Sequence, residues 1–180
     1  MVARVSSDAL KDVFIMKSNG LLYLLAVVLV SCSDMNAPEE RGDFSMSFRY
    51  GILARNELNT FENTFTKDLI LDGTVTVPFH LEAADLDTIE AKMDQIGFFS
   101  YPDTFTVGPR DSVRVFITPN STYVFKVASH ATLKALFWDD AIVANDPRAA
   151  KLRELIRLIR MIVESKPEYV QLPPARGGYL

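Results

Sequence analysis

The chain has 180 residues and a formal charge of -4, from 19 Lys and Arg against 23 Asp and Glu. Without a long Lys/Arg run it lacks the basic footprint of nucleic-acid binding, so no nucleic acid is expected as a partner. Its single cysteine, Cys32, excludes an internal disulfide, so a folded domain must rest on its apolar core, for which twelve Phe and six Tyr provide material.

The first element is the apolar run Leu21 to Val30, too short for the roughly 20 residues of a bilayer-spanning helix. Lys17 and Gly20 precede it and small Ser31 follows, the charged, apolar and small-residue order of a secretory signal. The signal is read from Met16. Residues 1–15 carry the acids Asp8 and Asp12 and read as an upstream extension. The end of the run, Leu29-Val30-Ser31-Cys32, resembles the lipobox of bacterial lipoproteins. That resemblance implies that residues 1–31 are removed and that Cys32 is lipidated. The protein would then attach to the cell membrane or outer membrane on its extracytoplasmic side, and Ser33 permits the outer-membrane route. Loss of Arg4, Lys11 and Lys17 against Asp8 and Asp12 would take the charge from -4 to -5. Residues 32–43 then form the lipidated cysteine and a polar tether with Pro and Gly. The eleven residues after the cysteine reach at most about 35 to 40 Å. Within them, Arg41-Gly42-Asp43 reads as solvated spacer.

Residues 44–180 are expected to form a single domain. Phe44, Met46, Phe48 and Tyr50 alternate with Ser45, Ser47 and Arg49, the pattern of a half-buried strand. A second strand run from Thr60 to Leu71 meets the turn signal Asp72-Gly73, after which Val75, Val77, Phe79 and Leu81 alternate with Thr74, Thr76 and His80. Leu86, Ile89, Met93 and Ile96 then mark an amphipathic helix stopped by Gly97. Phe98, Phe99, Tyr101 and Phe105 read as an aromatic plug under the sheet. Strands at residues 112–118, 122–128 and 132–139 suggest a meander. Asp146-Pro147 opens a last helix, whose stripe of Leu152, Leu155, Ile156, Ile159, Ile162 and Val163 is apolar and whose other face carries Arg153, Arg157 and Arg160.

The order strands, helix, strands, helix predicts an α+β fold, with an antiparallel sheet of five to six strands and two helices packed on one face. The same order, with "DGTVTV" before the first helix and "IGFFSYPD" after it, is similar to small families of bacterial envelope domains of unknown function. That resemblance implies the fold and carries no site residues across. The stretch Ile52 to Asn59 lacks the cysteine pair expected there.

No nucleophile elbow, zinc spacing, P-loop or dinucleotide loop is present, so no catalytic residue, cofactor or metal is assigned. His80 reads as a solvated strand residue and His130 as a turn residue. The acids Asp139, Asp140 and Asp146, with Asn145, are the best candidates for a hydrolase or a hard cation, and a connector with a helix cap accounts for the same residues.

A binding surface is expected on the sheet face away from the helices. With "PNS" and "SHA" as three-residue loops, Ile117 pairs with Tyr123, Val115 with Phe125, Val127 with Leu133 and Phe125 with Ala135. The outer face then carries the apolar row Phe116, Val124 and Leu136 beside the basic row Arg114, Lys126 and Lys134, with Trp138 next to Thr122. These residues suit an acidic or amphipathic protein partner. The sequence thus predicts a lipid-anchored, non-enzymatic binding module of the cell envelope.

Overall fold

A computed structural model describes residues 44–107, 115–143 and 145–179. The signal, Cys32, the tether and Arg114 lie outside these. The chain enters β1 (Ser45–Tyr50), whose alternation buries Met46, Phe48 and Tyr50. It then forms β2 (Asn56–Asn59), β3 (Thr64–Ile70) and β4 (Gly73–Pro78) as successive antiparallel hairpins. Helix α1 (Ala83–Ile96) opens on a capping box between Glu82 and Asp85, and stops where Gly97 takes the left-handed conformation at φ 69°. A 3-10 turn (Phe98–Ser100) and β5 (Thr104–Phe105) follow.

The second half comprises β6 (Val115–Phe116), β7 (Thr122–Ser129), β8 (Thr132–Asp139) and β9 (Ile142–Val143), then α2 (Pro147–Ser165) and the short α3 (Pro167–Val170). Asp146 caps α2, its carboxylate accepting from the backbone N–H of Arg148 at 2.7 Å and of Ala149 at 3.1 Å, with Pro147 in the first turn.

The fold is α+β, with differences in detail from the expected sheet. Seven strands run in the order β4-β3-β2-β1-β7-β8-β5, and the sheet is mixed because β5 lies parallel to β8. The expected meander is not formed. β6 pairs with β9 in a separate two-stranded ribbon, and β7 has β1 as its other neighbour. Ile117 and Val115 therefore do not pair with Tyr123 and Phe125. The apolar face of β1 explains this: placed beside β7, Phe48 stacks on Phe125 with centroids 4.5 Å apart, while a neighbouring strand of two residues would bury far less.

Both long helices cover one sheet face. Ile89, Met93 and Ile96 of α1 join Leu152, Leu155, Ile156, Ile159 and Val163 of α2 in one core with Met46, Phe48, Leu58, Phe65, Phe125 and Leu136. Burying each large side chain contributes roughly 1.5 to 3 kcal/mol. Phe98, Tyr101 and Phe105 enter the same core, as the aromatic plug predicts. The C-terminal segment docks on the end of β3. Arg176 makes a parallel bridge to Ile70 and grips Asp72 with two hydrogen bonds, and the Tyr179 hydroxyl donates to buried Asp68 at 2.5 Å.

Candidate functional site

The β7–β8 hairpin decides which residues face outward. It reverses through two residues, His130 and Ala131, both at positive φ (45° and 66°), where the sequence suggests a three-residue loop. The pairs are therefore Val127 with Lys134, Phe125 with Leu136 and Tyr123 with Trp138. A one-residue shift sends every side chain of a strand to the opposite face. This corrects two of the expected surface residues: Leu136 (1% exposed) and Trp138 (0%) lie in the core, under the helices. The shift also separates the two lysines. Lys126 faces Ala135 on the exposed side, while Lys134 turns inward and pairs with Asp103 at 2.6 Å.

The helix-free face keeps Val124, half-buried, and exposed Lys126 from the expected set. It gains Phe137, Ala135 and Leu133, the side chains that the register brings outward. Across the sheet, Glu57, Arg49, Val124, Phe137 and Thr104 form one row, and Asn59, Ser47, Lys126 and Ala135 the next. An apolar pair, Val124 and Phe137, thus sits beside the cations Arg49 and Lys126. Phe116 is 64% exposed but belongs to the β6–β9 ribbon, and Arg114 lies outside the described residues.

The acids of the 138–146 connector hold structure. Asp140 binds the guanidinium of Arg153 through two hydrogen bonds, 2.9 Å from Nε and 2.5 Å from Nη2. Asp139 accepts from Asn120, and Asp146 caps α2. Among the described residues no group of three His, Cys, Asp or Glu side chains could hold a metal ion. His80 is exposed beside Asn63, 3.2 Å from Nδ1 to Oδ1. His130 lies in its turn, 3.7 Å from Glu90, to which Ser129 donates its hydroxyl at 2.5 Å. The Ser129 hydroxyl thus has a carboxylate, not the imidazole, as its hydrogen-bond acceptor.

An open cleft of about 290 Å³ lies between α2 and the start of β7. The apolar stripe of α2 turns inward, and this swings Arg153, Arg157 and Arg160 to the cleft wall. Arg153 packs over the Trp138 ring at 5.2 Å, and its hydrogen bonds to Asp140 raise its pKa further. Arg160 lies 5.8 Å over the Tyr50 ring and hydrogen-bonds Glu164 from Nε (3.2 Å) and Nη2 (2.9 Å). Tyr123 lines the cleft, and burial pushes its phenol pKa above the ordinary value. The sequence shows the arginine spacing but not the cleft, whose lower wall comes from Tyr123 of β7 and from Asp140, just beyond β8.

No family model matches the chain, and neither a curated protein nor a solved structure matches it.

Proposed function

We propose that the protein is a lipid-anchored lipoprotein of the cell envelope that works as a non-enzymatic binding module, held to the membrane through Cys32 and recognising an acidic, amphipathic protein segment on its helix-free sheet face. The observation that carries this reading is the pairing of Val124 and Phe137 beside Arg49 and Lys126 on a face that no helix among the described residues covers. Apolar contact there supplies affinity and the two cations supply orientation and salt dependence. The employment of Asp139, Asp140 and Asp146 in pairing and capping supports binding over hydrolysis. Among the described residues no helix is long and apolar enough to cross a membrane. Membrane attachment in this reading therefore rests on the lipidated cysteine, and two acyl chains hold stably where one holds marginally.

A photo-crosslinking residue placed at Phe137 in the full chain, in cells, tests the recognition surface. The same probe at Thr76, exposed on β4 of the same face, is the control. Discrete crosslinks at Phe137 that weaken with salt and with Lys126→Glu are expected. Identical crosslink patterns at both positions would overturn the reading.

A further inference from the structure

The arginine cleft has an electrostatic character opposite to that of the chain. Three guanidiniums meet two carboxylates there, in a protein whose net charge is -4. Arg157 and Arg160 lie four and seven residues beyond Arg153, about 6 and 10.5 Å along the helix axis, so flexible side chains from one helix face reach a common point.

Some of the guanidinium donors in the cleft have no partner among the described residues. Asp140 takes Nε and Nη2 of Arg153, and Glu164 takes Nε and Nη2 of Arg160, which leaves Nη1 of each without a partner among the described residues. Arg157 forms no ion pair there, so its whole fork is available. A guanidinium carries five N–H donors in a planar fork that matches a carboxylate or phosphate. The two carboxylates already present each occupy one arginine edge and hold it in place, so the site is preorganised.

We propose that this cleft binds a phosphate group, with Arg157 as its principal ligand, Arg153 and Arg160 contributing their Nη1 donors and Tyr123 its hydroxyl. A third carboxylate would use only one fork. A phosphate offers three acceptor oxygens and up to two charges, which the remaining donors can meet together. The volume of about 290 Å³ suits a small group, since sites for drug-sized ligands run from about 300 to 1,000 Å³. The same chemistry is offered by a free phosphomonoester and by a lipid headgroup.

Trp138 is the chain's only tryptophan and lies directly under Arg153, so its emission reports on the cleft. The test titrates the full chain in neutral detergent with inorganic phosphate at constant ionic strength, following Trp138 emission and, independently, phosphorus NMR line broadening. Saturable binding is expected, weakened at least tenfold by Arg157→Gln and partly restored by Arg157→Lys. Arg157 is exposed, so neither variant endangers the fold. Saturation by inorganic phosphate alone supports a free ligand. Saturation reached only with phosphatidylglycerol vesicles, and lost with Arg157→Gln, supports a headgroup. An equal response to acetate, or wild-type binding by Arg157→Gln, would overturn the proposal.

Discussion

Arg153 and Arg157 sit one turn apart on α2 and differ in what they hold. Arg153 carries two hydrogen bonds to Asp140, whose side chain is 14% exposed, and covers the Trp138 ring. Arg153→Ala strips a largely buried carboxylate of its cation and is expected to cost about 1 to 3 kcal/mol. Arg157→Ala should stay within about 0.5 kcal/mol, the range of surface positions. Denaturant midpoints of the two variants check both numbers. The tyrosines share a shift in the same direction. Burial raises the phenol pKa of Tyr50, Tyr101, Tyr123 and Tyr169 above 10.0, and a hydrogen bond to Asp68 does so for Tyr179. A raised pKa in the folded state favours the protonated form, so this stability is whole below pH 10 and is lost as pH rises through the folded values. Spectrophotometric titration of the native protein should show these five phenols ionising later than in the urea-unfolded chain, with unfolding at the alkaline end. Coincident titration curves would refute it.

Among the elements, the readable ones carry their own punctuation. Asp146-Pro147 announces α2, Gly97 ends α1, and the alternation of β1 gives its buried side directly. What stays hidden is hidden chiefly by the β7–β8 turn, which has no glycine. The β1–β2 connection holds Gly51 at φ 89° with Leu53 and Ala54 at φ 56° and 52°, whereas His130 and Ala131 alone reverse β7 into β8. That turn places two residues at positive φ, the conformation for which Asn-Gly is the usual signal, so it is not visible in the sequence. β2 is further masked because only Leu58 of its four residues is apolar. The hidden β7–β8 turn is what misplaces Leu136 and Trp138 on the outer face. Ala131→Gly should therefore stabilise the protein by about 1 kcal/mol, since glycine adopts the left-handed conformation without a Cβ clash. Trp138→Ala should cost about 3 to 5 kcal/mol as a core truncation, whereas Leu133→Ala, at an 84% exposed position, should change stability by under about 0.5 kcal/mol. Thermal unfolding of these three variants tests the register itself.

For the whole molecule, the reading of Cys32 as the point of attachment has a direct consequence: Cys32→Ser should lose lipid labelling and leave the membrane fraction, or accumulate unprocessed. Identical detergent partitioning of wild type and variant would count against it. The chain enters β1 at Ser45, opposite Ala128, and the arginine cleft lies toward the other end of β7 at Tyr123, about 17 Å away at 3.3 Å per residue. The position of β1 has a further implication. It is the first strand of the described chain, yet it lies in the middle of the sheet, between β2 and the much later β7. While the chain emerges in order, β4-β3-β2-β1 can assemble early, but Phe48 must wait for Phe125, so the half-built sheet presents an open edge and an uncovered aromatic row. Such distant pairing slows folding and exposes the intermediate to aggregation. The step that completes this protein is the docking of its two halves along a single strand seam, and a chaperone that shields β1 until β7 arrives would act at the point where the chain is most vulnerable.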